Sequence, residues 1–185
     1  MTIYFGFQST FNMRIKILAW LSSKLTHLHN ILGSYSKLPW NTSMETLQQM
    51  NENSLGFKLF KFYEKNQFHP IPTMEYHDVD HILLDVDTDV KSEMLLQFFS
   101  WGNGKRTVFV FLACMGSLLI LPEMWFRCSI AYQHGRCYKP IHHTDYRELL
   151  HLPLHEVRKR VLVPSSVYNY NVTPMAFRYP VFKNN

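Results

Sequence analysis

The chain has 185 residues, of which 46% are hydrophobic and 15% aromatic, whereas only 18% are charged. This length and composition predict one folded domain, residues 1–185, with a sizeable core, and they exclude a disordered chain. The net charge of +5 is too diffuse to indicate nucleic-acid binding, although it suits weak attraction to an anionic membrane surface. The three cysteines form no CxxC pair and are typical of reduced thiols in an intracellular protein.

The first part of the chain predicts helices that are separated by loops. An apolar stripe with spacings of three and four residues indicates a helix that ends at Gly33. Its members are Leu18, Leu21, Leu25, Leu28 and Leu32. A short helix over 44–50 and a longer one over 55–65 follow, and Pro70 and Pro72 end this region because proline cannot continue a helix.

The middle of the chain predicts two helices, over 74–84 and 90–101, joined by the acidic run from Asp85 to Asp89. The apolar run 108–121 has fourteen residues, whereas a membrane span needs about 20, so we expect a buried core helix there. A second helical segment over 122–134 follows this run.

The last part of the chain predicts two more helices. Asp145 and Glu148 have the spacing of a capping box before a short helix. Pro153 begins a final helix that ends near Leu162, and Arg158 to Arg160 predict a solvated, basic end to that helix. Residues 165–185 have no helical period and predict an irregular tail. The class is all-α, with about seven or eight helices and no strand–helix alternation.

One short motif in the 74–84 helix points to chemistry. His77 and His81 are four residues apart and would share one face of the helix, with Asp78 beside them. Glu93 would enter from the first turn of the next helix. Two imidazoles and two carboxylates that converge in this way predict a site for a divalent metal. Glu93 could also be stabilised in that position by the helix dipole alone.

Other metal motifs fit the sequence less well. A zinc protease places Glu directly after the first His, where this chain has Asp78. The acidic run from Asp85 resembles the opening of a calcium-binding EF-hand, but Val90 and Leu96 stand where that loop needs Gly and Glu. The acidic run is better explained as a cap for the Glu93 helix. A cluster of His134, Cys137, His142 and His143 has no defensible zinc spacing.

The spacing His-Asp-x-x-His, eleven residues and then Glu resembles the signature of the coenzyme Q biosynthesis protein 4 family. Its flanks are similar too, with Tyr76 before the motif, Leu83 and Leu84 after it, and Phe98 five residues beyond Glu93. Three later segments also resemble the family: 131–136, 145–148 and 153–158. The resemblance covers about 55–164, fades over residues 1–50 and is absent from 165–185. Gly102-Asn103-Gly104 departs from the family pattern.

The resemblance implies a helical, membrane-peripheral protein of ubiquinone biosynthesis. It implies one divalent metal, most often zinc, held by His77, Asp78, His81 and Glu93. It further implies removal of the C1 carboxyl from a polyprenylated hydroxybenzoate, with hydroxylation at the same carbon, within a complex of other quinone-biosynthesis proteins. The implied location is intracellular, on the inner face of a bacterial cytoplasmic or mitochondrial inner membrane.

Two roles remain open within that resemblance, a metal-dependent decarboxylase and a non-catalytic, lipid-binding scaffold that organises other enzymes. Four protein ligands would close the site to substrate. We therefore expect one carboxylate to shift, and Asp78 is the candidate because its short side chain follows a ligating His directly. Arg136, in a Gly-Arg context similar to that of the family, is the candidate for binding an anionic head group.

Overall fold

The computed structural model describes residues 12–18, 20, 39–72 and 74–165. Within these ranges every regular element is a helix and no strand is present, which confirms the all-α class. Residues 12–18 are helical, and seven further α-helices follow: α1 (Met44–Gln48), α2 (Leu55–Asn66), α3 (Glu75–Leu84), α4 (Val90–Gly102), α5 (Val108–Ile120), α6 (Trp125–Arg136) and α7 (Leu154–Val161). The leucine stripe beyond Leu18 and the tail after Ser165 lie outside the described residues.

Polar side chains set where several helices begin. Ser43, Ser54, Asp89 and Thr107 precede α1, α2, α4 and α5, and each side chain accepts a hydrogen bond from a backbone N–H of the first turn. Asp89 accepts from two such groups, so the acidic run does cap the helix of Glu93. At Asp145 the capped element is a short 3₁₀ turn, Tyr146–Leu149, rather than an α-helix.

Two side chains from later in the chain hold helix α3 in place. Arg158 on α7 donates to the carbonyls of Leu83 (3.0 Å) and Ile82 (2.8 Å), which are among the carbonyls left without helical partners at the end of α3. The predicted solvated end of the last helix is therefore wrong for Arg158, which lies half-buried between two helices. The phenol of Tyr146 donates to Asp80 of α3 at 2.8 Å.

Helices α4 and α6 form the most extensive helix pair among the described elements. Two glycines allow their backbones to touch. A Cβ at Gly102 would overlap the carbonyl of Tyr132, and a Cβ at Gly135 would overlap the carbonyl of Phe99. The amide of Asn103 reinforces the contact by donating to the carbonyl of Gly135 at 3.0 Å. Helix α4 is therefore fixed against α6 at its C-terminal end. At its other end, Glu93 in the first turn contacts two histidines of α3.

The α5–α6 pair presents an apolar outer face, which we define by six exposed residues: Val108, Phe111, Leu112, Leu119, Trp125 and Phe126. Leu119 keeps 85% of its surface exposed and Trp125 keeps 63%. The prediction that 108–121 is a buried core helix is therefore correct only for the stripe of Val110, Cys114 and Ser117. The run would make a helix that is hydrophobic on all sides, so the sequence did not indicate which side meets solvent.

Membrane-spanning helices are not evident in the described part of the chain. No single helix there has both the length and the apolar character to cross a bilayer. Helix α5 and the segment Pro122–Arg136 reach these requirements only when they are taken together, and a bend of 111° separates them.

Candidate metal centre

The centre lies where α3 and the start of α4 meet. His77 and His81 occupy one face of α3, and their ring centroids are 4.9 Å apart. Asp85 takes a left-handed conformation (φ 53°) that ends α3 and turns the chain toward α4. Glu93, in the first turn of α4, then faces both histidines. Among the described residues this trio is the one group of metal-binding side chains whose donor atoms converge, within 4.8 Å.

Glu93 bridges the two histidines with its two oxygens. Its Oε2 lies 3.4 Å from Nε2 of His77, and its Oε1 lies 2.9 Å from Nε2 of His81. Burial increases across the trio, because 34% of the Glu93 side chain is exposed, 21% of His77 and 2% of His81. The centre therefore has a deep end at His81 and an open end at Glu93.

His81 is oriented by its backbone surroundings. Its Nδ1 lies 3.1 Å from the carbonyl of Val86, which can only accept a hydrogen bond, so Nδ1 carries the hydrogen. The ring of Phe62 stacks on His81 at 5.6 Å. Nε2 is thereby left to face the carboxylate of Glu93, and two acceptors in that contact need a proton or a metal cation between them. Metal-binding histidines characteristically donate their other N–H to such a carbonyl.

The charges of the trio are coupled. Burial by itself would raise the pKa of Glu93, but the charge of His77 and hydrogen bonds from both histidines hold that pKa well below its usual range. Burial would lower the pKa of His77, but the neighbouring Glu93 carboxylate raises it. The centre therefore favours an ionised Glu93 with positive charge beside it.

The trio fits a zinc ion. Zinc binds imidazole nitrogen and carboxylate oxygen at about 2.0–2.2 Å, which places tetrahedral donors about 3.4 Å apart. The distance of 3.4 Å between His77 Nε2 and Glu93 Oε2 matches that separation, whereas the distance of 2.9 Å between His81 Nε2 and Glu93 Oε1 is that of a hydrogen bond. Two histidines and one glutamate form a donor set that catalytic zinc sites use, with the fourth position left for water or substrate.

Asp78 is the predicted ligand that the structure does not bring into this set. Its Oδ2 accepts a hydrogen bond from the phenol of Tyr63 at 2.9 Å instead. The physical reason is the packing of α2 on α3, which brings the Tyr63 phenol to this carboxylate. Helical spacing alone would keep Asp78 near His81, which follows it by three residues.

The other candidate residues lie apart from the trio. Arg136 is exposed at the end of α6, with its guanidinium over the ring of Tyr132 at 5.9 Å, and its role in binding a head group stays a prediction. His134 is buried against Phe99 and Tyr138. Neither His134 nor its neighbour Cys137 belongs to a converging group of donors in the described chain.

Four groups around the centre were not predicted from the sequence. They are the side chains of Tyr63, Phe62 and Gln97 and the backbone carbonyl of Val86. The side-chain amide of Gln97 lies 3.5 Å from Nε2 of His77. The aromatic density of 57–63 in the sequence marks α2 as an apolar helix, but it does not indicate which ring meets a histidine. Gln97 follows Glu93 by four residues, so the helical period could have placed it on the same face.

Comparison with solved structures shows that this chain has a fold similar to that of a known protein. A crystal structure of a protein from Nostoc punctiforme, provisionally named a ubiquinone biosynthesis protein, matches with a TM-score of 0.57 and 19% sequence identity. The match covers 84% of this chain and 82% of that chain. No protein-family model matches the chain, and no curated protein matches it either. The shared fold is helical and extends over most of both chains.

Proposed function

We propose that this protein binds a divalent metal, zinc in the first instance, through His77, His81 and Glu93, and acts in ubiquinone biosynthesis. The observation that carries the metal proposal is the convergence of the three donors, with Nδ1 of His81 directed to the Val86 carbonyl. The pathway proposal is supported by the fold shared with the Nostoc protein and by the motif that begins at His77.

The reaction proposed for the centre is removal of the C1 carboxyl from a polyprenylated hydroxybenzoate, with hydroxylation at the same carbon. The ring–carboxyl bond breaks and the carboxyl leaves as CO2, a new C–O bond forms with oxygen from water, and dioxygen accepts the two electrons and leaves as hydrogen peroxide. A bound divalent ion would supply a Lewis acid for an oxygen of the ring or its carboxylate. Glu93 would keep the donor set anionic, and His81 would be held in one tautomer by Val86. The open end at Glu93 is where a ring would reach the donors, because His81 is enclosed.

A second candidate function is supported by the apolar outer face of α5–α6. Exposed apolar areas of this kind mark contact with proteins or membranes. The protein would then be a metal-stabilised scaffold at a membrane surface that organises other quinone-biosynthesis proteins, with no chemistry of its own.

The first test is metal content. We expect purified wild-type protein to retain zinc close to one ion per chain and His81→Ala to lose most of it, because removing one of three donors leaves a site too weak to survive dialysis. His155→Ala is the matched control, since His155 is an exposed histidine on α7. Metal content would be measured by plasma mass spectrometry. Equal zinc in His81→Ala and wild type would refute the ligand assignment.

Glu93→Ala separates the enzyme from the scaffold. If the centre performs chemistry, wild type but not Glu93→Ala should convert a carboxylated prenyl-phenol in the presence of oxygen. A folded Glu93→Ala protein that still restores quinone production in a deficient cell would support the scaffold and contradict the enzyme.

A further inference from the structure

Gln97 is a polar side chain in a stretch of α4 that is otherwise apolar and buried. The other five residues of 94–99 are buried hydrophobic side chains, whereas Gln97 is half-buried. It follows Glu93 by four residues, so the two side chains lie on the same face of α4, one turn apart. That face meets α3, because Glu93 contacts both histidines and Gln97 contacts His77. Helix α4 therefore offers the centre a carboxylate and, one turn further on, an amide.

The amide of Gln97 is directed at a nitrogen that a bound ion would occupy. Its Nε2 lies 3.5 Å from Nε2 of His77, the same atom that lies 3.4 Å from Oε2 of Glu93. In the part of the chain that the structure describes, this is the one hydrogen bond of the Gln97 side chain. An imidazole nitrogen carries either one lone pair or one hydrogen, and a metal uses that position. Metal binding would therefore leave the half-buried amide without its partner, unless a ligand on the ion takes over the contact.

The distances suit a ligand that contacts the ion and the amide together. Zinc binds imidazole nitrogen at about 2.1 Å, so an ion on His77 lies at most about 5.6 Å from the amide nitrogen of Gln97. A carboxylate oxygen about 2.1 Å from the ion can accept a hydrogen bond from a nitrogen about 2.9 Å away, which spans about 5 Å at most. The side chains of Glu93 and His77 are 34% and 21% exposed, so a small acid can reach the ion from this end.

We propose that Gln97 binds the substrate, by donating a hydrogen bond from its side-chain amide to the carboxylate of an aromatic acid that is coordinated to the ion at His77. This inference rests on the proposed function, since it needs an ion at the centre. It deepens that function by assigning the group that recognises the carboxylate. A neutral amide suits the position because it does not repel the ion, as a lysine would, or the acid, as a glutamate would.

The chain offers matched variants for a test. Gln97→Met keeps the approximate length and volume of the side chain and removes the donor. Gln97→Asn keeps an amide but draws it back by one methylene, and it decides the question where Gln97→Met fails to fold. Gln133→Met is the control, since Gln133 is an exposed glutamine on α6.

The experiment measures ligand binding to the cobalt forms of wild type and these three variants. The visible spectrum of bound Co²⁺ changes when a new ligand coordinates, so no turnover is needed. One probe is 4-hydroxybenzoate, which carries a carboxylate. The other is imidazole, whose coordinating nitrogen has no further lone pair to accept a hydrogen bond from an amide.

We expect both Gln97 variants to bind 4-hydroxybenzoate about tenfold more weakly than wild type, the order of one hydrogen bond to a charged group. Imidazole should bind equally to all four proteins, because its coordination does not use the amide. Gln133→Met should match wild type with both probes. Equal affinity of wild type and the Gln97 variants for 4-hydroxybenzoate would overturn the inference. So would equal weakening of both probes, which indicates altered packing of the centre, or a wild-type spectrum that does not respond to 4-hydroxybenzoate.

Zinc retention separates a substrate-binding residue from a metal ligand. Both Gln97 variants should retain zinc as wild type does, under the dialysis that removes it from His81→Ala. A loss of zinc as large as that in His81→Ala would make Gln97 a metal ligand and overturn the inference. Failure of wild type to bind zinc would instead refute the proposed function.

Discussion

His134 shows how one buried side chain makes stability depend on pH. Burial lowers the pKa of His134, which packs edge-on to Phe99 at a centroid distance of 5.6 Å. In the unfolded chain the same imidazole, with a pKa near about 6.5, takes up a proton that the folded protein resists. The unfolded state therefore binds more protons below that pH, and the free energy of unfolding falls as the pH falls.

We therefore predict that His134→Gln flattens the decline in stability between pH 7 and pH 5. The limit for one group is about 1.4 kcal/mol per pH unit. The measurement is urea unfolding at pH 5, 6 and 7. His155→Gln, at an exposed site on α7, should keep the wild-type slope. Parallel profiles for His134→Gln and wild type would show that this imidazole does not control the acid response.

At the scale of single residues, the sequence predicted the three side chains that converge but not the neighbouring groups that hold them in place. The spacing of His77 and His81, together with a capped helix start before Glu93, follows from the helical period and local capping, which are properties of short segments. The contact of Asp78 with Tyr63 depends on how α2 and α3 pack, which no local pattern specifies. The local pattern predicts Asp78 as a ligand, whereas in the structure its carboxylate accepts a hydrogen bond from the phenol of Tyr63.

Among the elements, the crossing of α4 and α6 is the most sensitive to substitution. A Cβ on Gly135 would overlap the backbone carbonyl of Phe99, and a backbone group cannot move aside as a flexible side chain can. We predict that Gly135→Ala lowers the free energy of unfolding by about 3 kcal/mol, the upper part of the range for overpacking. Chemical denaturation followed by circular dichroism would measure the loss.

Gly116→Ala is the control for that prediction. Gly116 lies in α5, and a Cβ there would meet nothing within 4 Å. Since Ala is favoured over Gly in a helix interior by about 1 kcal/mol, this variant should be as stable as wild type or slightly more stable. A Gly135→Ala protein as stable as Gly116→Ala would mean that the two helices are not in backbone contact.

The helix bounds were largely predictable, because caps and prolines are local signals. The 3₁₀ turn at Tyr146 and the contact of Arg158 with α3 were not. Arg158 lies in a basic run whose local pattern indicates a solvated helix end, and only the arrangement of α7 against α3 brings one of the three cations onto carbonyls.

For the whole molecule, the outer face of α5–α6 makes a prediction about membranes. Burying one large apolar side chain contributes about 1.5–3 kcal/mol, so a Leu119→Ser/Trp125→Ser variant should partition at least about tenfold less onto vesicles. Vesicles containing anionic phospholipid suit the net charge of +5, and co-sedimentation would measure the bound fraction.

The control for vesicle binding is Phe68→Ser/Ile71→Ser, which removes two exposed apolar side chains elsewhere in the chain. That variant should bind vesicles like wild type. Equal losses in both variants would indicate that vesicle binding does not depend on this particular face, and no loss in Leu119→Ser/Trp125→Ser would contradict membrane binding through it.

The glycine contact at the end of α4 also has a mechanical consequence. From Gly102 to Glu93 the helix rises about 14 Å, at 1.5 Å per residue. Tilting this rod about its glycine end by about 10° would carry the Glu93 carboxylate through roughly 2 Å, which is about the length of a zinc–oxygen bond. A force that tilts α4 about its contact with α6 would therefore displace the Glu93 carboxylate relative to His77 and His81.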